Sequence, residues 1–391
     1  MVKPSMMEID YINGPRTDKL FGMYKYQMEI QKRLDIVLNI IEYESIMQNL
    51  EKRFAPNTNP ADMENISNEG SGNSRIKNFL TDTTRRSVQE LDRYRYRLIV
   101  KNSVKNGNIK HLTNQELAYL LKYLDLEKTV VTCHDLIPWV YENNRGKHWR
   151  NIMEGLKRAD IIITISEFSK MEIMKHLNYP EDRIHIVNDG VDHELYSPKR
   201  DKNILKRFNI PENHKTILYV GSETPRMNLD FLLKSLSRLK KTFPEFKLLK
   251  IGESQSFGAR KHFLNSIKEY GLIENVIFVG YVAEEELPKW YNASDLLVYP
   301  CLYAGFGLPP LEAMACGTPV ITSNTTSLPE VVGDAGIMVD PKDSKAMSKA
   351  MYEVLTNKTM VEEMVNNGLK RSKLFKWEDS AKNTLNVYKN F

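Results

Sequence analysis

Short apolar runs rich in β-branched residues recur along this chain, each bounded by polar residues and followed by a stretch of helical periodicity. "MEIDYI" (7–12), "TVVTCHD" (129–135), "ADIIITIS" (159–166) and "IHIVNDG" (184–190) form one series. "TILYVG" (216–221), "KLLKIG" (247–252), "NVIFVG" (275–280), "DLLVYP" (295–300), "PVITS" (319–323) and "AGIMVD" (335–340) form a second. Runs this short and this apolar are strands buried on both faces. Alternating with helices, they predict parallel sheets covered on both sides, an α/β fold. The polar stretch 191–215, with Pro198 and Pro211, separates the two series and marks a hinge between two domains facing a cleft. At 391 residues the chain is long for one core and comfortable for two.

Local signals refine this layout. Periodicity predicts helices from about Tyr24 to Glu44, over 228–241 and over 257–270. Ser166 is placed to cap the helix that follows "ADIIITIS". Residues 55–75 have almost no apolar content and predict an exposed loop. At the end of the chain Trp377, Ala381, Leu385 and Tyr388 lie near helical spacing, a stripe suited to packing back on the first domain.

Charge and cysteine usage exclude several classes. The net charge of +5 gives little reason to expect nucleic acid as a partner. Cys133, Cys301 and Cys316 lack metal-ligand spacing and predict buried free thiols in a reducing compartment. No D-x-D triplet occurs, so no metal site is specified. No apolar run reaches the roughly 18 residues of a membrane span. A soluble, cytoplasmic protein is the expectation. Residues 85–110 interleave Arg85, Arg86, Arg93, Arg95, Arg97, Lys101, Lys105 and Lys110 with Val88, Leu91, Tyr94 and Leu98. That pattern suits either a solvated helix face or a peripheral contact with anionic lipid on the inner side of a membrane.

Candidate chemistry collects at strand ends, where open α/β sheets bind ligands. After "TILYVG", Gly221 and Ser222 open a turn, and Arg226 precedes a helix near Asn228. This is either an anion site for phosphate or an ordinary strand–helix loop. In "YAGFGLPPLEAMACG", Gly305 and Gly307 permit a tight path for backbone donors, and Phe306 and Leu308 shape a pocket. Glu312, expected in the first turn of a helix starting near Leu311, either caps that helix or accepts hydrogen bonds from a vicinal diol such as ribose. Ser323, Thr325, Thr326, Ser327 and Glu330 lie in the next strand–helix loop. His134 and Asp135 end the strand at 129–135, as a structural pair or as donors to a reacting sugar or phosphate.

Together "CHDLIPW", "ITISEFSK", "VNDGVDHELYSP", "LYVGSETPRMNL" and "YAGFGLPPLEAMACGTPVITSNTTSLPEVVGDAG" resemble, in order, the landmarks of family 4 glycosyltransferases. The resemblance covers about residues 129–391 well. It implies a GT-B architecture: an acceptor-binding Rossmann-like domain over 1–195, a nucleotide-sugar-binding one over 196–375, and a C-terminal helix over 376–391. It implies a retaining transferase that needs no catalytic metal or other cofactor. The donor would be a nucleoside-diphosphate sugar, with GDP-mannose favoured over a UDP-sugar because "CHDLIPW" looks most like the mannosyl-transferring branch. The partner would be a glycan or lipid-linked acceptor. Carried over, Glu312 would hold the ribose and the 305–308 backbone the donor. Thr326 and Ser327 would sit near the phosphates, His134 near the transferred sugar, and Arg226 at the diphosphate. Three positions depart from the family pattern: Ala304 replaces the first of two glutamates eight apart, Met227 replaces the second of a basic pair, and Ser222 follows the glycine where some members have arginine. These departures raise a second reading, an impaired chain that binds donor or acts as a scaffold.

Overall fold

The computed structural model describes residues 7–16, 22–54, 82–254 and 258–391. The 55–75 loop expectation lies outside them. The chain builds two six-stranded sheets whose strands pair in parallel. The first takes β1 (Glu8–Pro15), β2 (Val37–Tyr43), β3 (Ile109–Leu112), β4 (Thr129–Cys133), β5 (Ile161–Thr164) and β6 (Ile184–Ile186), in the order β2-β1-β3-β4-β5-β6. The second takes β7 (Lys215–Val220), β8 (Phe246–Ile251), β9 (Val276–Gly280), β10 (Leu296–Tyr299), β11 (Val320–Ser323) and β12 (Ile337–Val339), in the order β12-β11-β10-β7-β8-β9. Every predicted strand is present.

The helix predicted from Tyr24 to Glu44 is shorter. α1 spans Gly22–Arg33, and the chain then extends into β2. The reason is local: Ile36, Val37, Ile40 and Ile41 are β-branched and favour the pleated surface beside β1. β3 was also missed, because "IKHL" carries two polar residues. Both are accommodated inside: Lys110 Nζ donates to Asn108 O (2.8 Å), and buried His111 meets Thr132 Oγ1 (2.8 Å) and Tyr388 OH (2.5 Å).

One apolar cluster runs through both halves, from Ile9, Tyr26 and Val130 to Leu218, Trp290 and Leu311. The other face of each sheet has its own cluster, with Ile12, Ile152 and Ile162 in one and Ile217, Leu236 and Met351 in the other. The final helix, Trp377–Lys389, packs against residues of the first half. Trp377 stacks edge-on to Tyr26 (6.1 Å), and Ser380 Oγ donates to Asn188 O (2.6 Å).

Strand order in the second sheet reverses between β7 and β10. Connections after these two strands diverge to opposite faces, which opens a crevice at their carboxyl ends. The segments leaving that crevice are 221–227 and 300–307, the two stretches singled out in the sequence.

Candidate active site

His134 leaves β4 and is 3% exposed. Its N–H donates to Gln115 Oε1 (3.1 Å), and its carbonyl accepts from Ser169 Oγ (3.1 Å). The ring lies edge-on to Tyr26 (4.9 Å), with Nε2 3.4 Å from Thr113 O. Burial brings its pKa down to about 4, so the imidazole is neutral at physiological pH and presents a donor and an acceptor. Asp135 follows. Its Oδ1 accepts from Ile137 N (2.9 Å), and burial raises its pKa against the pull of the Ile137 N–H and Arg226.

Gly305, from the second half, packs directly on this pair. A Cβ there would stand 3.0 Å from His134 O and from Asp135 Cβ, and 3.2 Å from Asp135 Oδ2. Its carbonyl accepts from Ser166 Oγ (2.8 Å), the side chain that also caps the helix Glu167–Leu177 through Ser169 N (3.1 Å). A larger residue here would press on the His134–Asp135 backbone, so the glycine favours close approach of the two halves as well as freedom of path. Phe306 is buried against Phe375 (5.7 Å). Gly307 precedes the helix, at φ 131°, and half-buried Leu308 begins it.

Gly221 turns the chain out of β7. A Cβ there would collide with Met227 Cε (2.6 Å) and Tyr219 OH (2.8 Å). The Ser222 carbonyl accepts from Tyr219 OH (2.7 Å), and its hydroxyl pairs with Thr224 Oγ1 (3.1 Å). Arg226 Nη1 donates to Tyr303 O (3.2 Å), and no carboxylate pairs with it among the described residues. Met227 is 2% exposed, and its Sδ receives Cys301 Sγ at 3.8 Å. Ala304 lies in the same apolar cluster as Met227 and Cys301. The two positions where the family pattern expects charge are thus both buried in one apolar cluster.

Thr326, at φ 57°, accepts from Ala304 N through Oγ1 (3.1 Å). Ser327 Oγ bonds Ala304 O (2.9 Å) and Phe306 O (2.7 Å). Both hydroxyls brace the 304–306 backbone. The Glu330 carboxylate caps the helix Glu167–Leu177 from across the cleft, accepting from Glu167 N (2.8 Å) and Phe168 N (2.7 Å). Tyr303 OH donates to Glu172 Oε2 (2.9 Å) between the same halves.

Glu312 differs from its expected setting in two ways. The helix spans Leu308–Ala315 rather than starting near Leu311, so Glu312 lies in its second turn, beyond the reach of the helix dipole. Its carboxylate is also already engaged. Tyr291 OH donates to Oε2 (2.8 Å), and Lys25 Nζ stands 2.7 Å from Oε1 and 2.6 Å from Glu284 Oε1. Lys25 and Glu284 escaped the sequence reading, since their motifs "MYKYQ" and "VAEEELP" look like ordinary surface helix and loop. Burial pulls the Lys25 pKa down, but Glu312 and Glu284 more than offset this and hold it above the usual lysine range. Asp189 is buried nearby with Oδ1 unpartnered, and burial pushes its pKa up to about 8. Among the described residues no group of three His, Cys, Asp or Glu side chains is arranged to hold a metal.

Comparison with known proteins fits this geometry. The family model for glycosyl transferases group 1 matches residues 200–371, and that for Glycosyltransferase Family 4 matches residues 83–195. O-antigen chain mannosyltransferase B of Escherichia coli is 32% identical over 392 residues, covering 98% of this chain and all of that protein. The serotype-specific mannosyltransferase WbdA of Escherichia coli is 31% identical over 269 residues, 65% of this chain and only 32% of that longer protein. Among solved structures, HepE of Anabaena in complex with UDP and glucose superposes with a TM-score of 0.75 at 16% identity, covering 98% of this chain and 100% of that one. Sucrose-phosphate synthase from Thermosynechococcus elongatus gives 0.72 at 20%, covering 97% and 98%. Two parallel six-stranded sheets with this likeness over the whole chain give a GT-B fold, and the family models and the 32%-identical relative make the chain a glycosyltransferase. Within that class the chain belongs to glycosyltransferase family 4.

Proposed function

We propose that this glycosyltransferase is retaining and moves mannose from a nucleoside-diphosphate sugar, GDP-mannose in the favoured form, to a glycan or lipid-linked acceptor. The observation that carries the donor reading is the 303–307 loop, which receives Arg226 through the Tyr303 carbonyl, packs Gly305 on the His134–Asp135 pair and leads into the helix bearing buried Glu312. The names of the two Escherichia coli relatives support mannose. Residues 196–375 hold the donor, residues 1–195 the acceptor, and 376–391 tie the final helix to the acceptor side.

In this reading Glu312 accepts from the ribose diol, and the 305–308 backbone together with Gly221, Ser222, Thr326 and Ser327 lines the diphosphate path. The bond between the sugar anomeric carbon and the phosphate oxygen breaks with its electron pair going to that oxygen, whose charge Arg226 stabilises. The acceptor hydroxyl attacks the same face, and its proton passes to the departing phosphate oxygen. Neutral His134 donates to a hydroxyl of the transferred sugar. Calorimetric titration with GDP, UDP and ADP in EDTA, followed by donor screening with product analysis, tests this. Binding of none of them would sink the donor reading.

We place the protein in the cytoplasm, in peripheral contact with the membrane. No helix among the described residues is long and apolar enough to span a bilayer. The helix Asp82–Ser103 does expose Leu91, Tyr94 and Leu98 along one face, with Arg86 and Lys101 also exposed. That stripe suits shallow insertion among anionic headgroups. Flotation with phosphatidylglycerol vesicles should carry the protein up, and a Leu91→Ser/Leu98→Ser variant should stay behind. Equal flotation of both would remove this face from the account.

A further inference from the structure

Lys25 lies on α1, in the first half of the molecule, yet both carboxylates it meets belong to the second. Its side chain is 6% exposed, as is that of Glu312. Among the described residues no other cation stands within ion-pair distance of Glu312. Tyr196, which leaves the first half, steadies the ammonium: its hydroxyl is 3.4 Å from Nζ and its ring 4.7 Å away. An ionised carboxylate this deeply buried is strongly disfavoured without a partner.

The state of Glu312 matters to what it can hold. A vicinal diol offers two O–H donors. An ionised carboxylate only accepts, whereas a protonated one carries a donor that opposes the diol. Lys25 on Oε1 and Tyr291 on Oε2 fix the group in orientation and leave each oxygen a further lone pair. We infer that Lys25 is a positioning residue of the donor pocket, supplied across the cleft: it is the countercharge that lets Glu312 meet a ribose diol as a carboxylate, so the pocket is competent only when the halves are closed. This rests on the diol-binding role of Glu312 proposed above.

The surroundings make the dependence testable by pH. Around the Lys25–Glu312–Glu284 group stand Glu29 on α1, Asp189 and Tyr196 after β6, Tyr291 on the helix Leu287–Ala293, Tyr299 at the end of β10, and Cys316 beyond Glu312's own helix. None is a cation. Without Lys25, the buried Glu312 carboxylate faces only acidic or neutral groups, and its protonated form is favoured over an uncompensated charge.

The experiment uses full-length wild type, Lys25→Met, Lys25→Arg and Lys25→Met/Glu312→Gln. GDP and UDP are titrated calorimetrically in EDTA at several pH values between about 6 and 9, and thermal unfolding is followed over the same range. Wild-type affinity should be flat across it. Lys25→Met should bind at least tenfold more weakly at pH 7 and recover as pH rises and Glu312 ionises, and Lys25→Arg should retain most of the affinity. Without nucleotide, Lys25→Met should melt below wild type, with the gap widening as pH rises. A carboxyl whose folded pKa is raised stabilises at low pH and loses that contribution as pH rises through the folded pKa. The double variant should lose the share of this pH dependence that Glu312 carries, keep the share of Glu284, and recover part of the melting temperature, and it serves if the single variant does not fold. Unchanged or tighter binding by Lys25→Met, or a deficit equal at every pH, would overturn the inference. If wild type binds no nucleoside diphosphate, the donor reading fails. The unfolding series still decides the role of Lys25, because a gap independent of pH rejects it.

Discussion

The two ends of the crevice are built on opposite principles. Around Glu312 charged side chains are buried and matched: one lysine serves two carboxylates, and a tyrosine holds the remaining oxygen. In the 221–227 and 303–307 segments the positions where the family pattern expects charge carry Met227, which packs on Cys301, and Ala304, both within one apolar cluster. There Arg226, whose Nη1 donates to Tyr303 O, is the basic residue that the motif keeps. Under the proposed donor reading, the contrast assigns recognition to the charged end and the leaving charge at the other end to a single guanidinium.

The sharpest way to break that division is Arg226→Ala. With no second basic residue beside it, turnover should fall about 100-fold, a loss typical of removing one preorganised donor from a developing oxyanion. Steady-state kinetics on the identified donor check this. A fall under threefold would mean that another group carries the leaving charge.

Next come the absent charges. Met227→Lys or Ala304→Glu alone buries an unpartnered charge and should cost about 3 kcal/mol of stability, read by chemical denaturation. The double substitution should cost clearly less, and its turnover should rise if the apolar pair impairs the enzyme. Additive losses without such a rise would favour a donor-binding role over catalysis.

Two titrations sharpen the picture at smaller magnitude. Asp189 has a folded pKa of about 8, far above that of an exposed carboxylate, so its contribution is fully present in acid and lost as pH rises through that value. Asp189→Asn should therefore raise the melting temperature most at pH 8 to 9, on the order of a few degrees. His111 and His134 run the other way. Burial lowers them to about 3 and about 4, so their contribution is present above about pH 6.5 and is lost as pH falls toward 4. Replacing His134 with Gln should flatten that acid limb, measurable by unfolding between pH 4 and 7.

Much of this was legible in the sequence, because buried parallel strands announce themselves as short β-branched runs. All six strands of the second half could be read that way, as could the crevice loops, since glycine and proline mark turns at strand ends. What escaped depended on partners distant in sequence. Lys110 and His111 disguised β3, because a polar residue is compatible with a buried strand only when partners such as Asn108, Thr132 and Tyr388 satisfy it. The extension of β2 was hidden inside a helical pattern that ends at Arg33. Lys25 was the largest omission. Nothing within several residues of it signals a carboxylate 287 positions away, and only the packing of the two halves brings them together. Gly305 shows the same lesson in reverse: a residue read for its flexible path turns out to be fixed by His134 and Asp135 across the cleft.

The most direct test of the account is calorimetric titration of wild type and Glu312→Gln with GDP, UDP and ADP in EDTA. One nucleoside diphosphate should bind selectively to wild type, with affinity reduced at least tenfold in the variant. Equal affinity in the two proteins would contradict the role of Glu312, and no binding of any nucleotide by wild type would contradict the donor site itself.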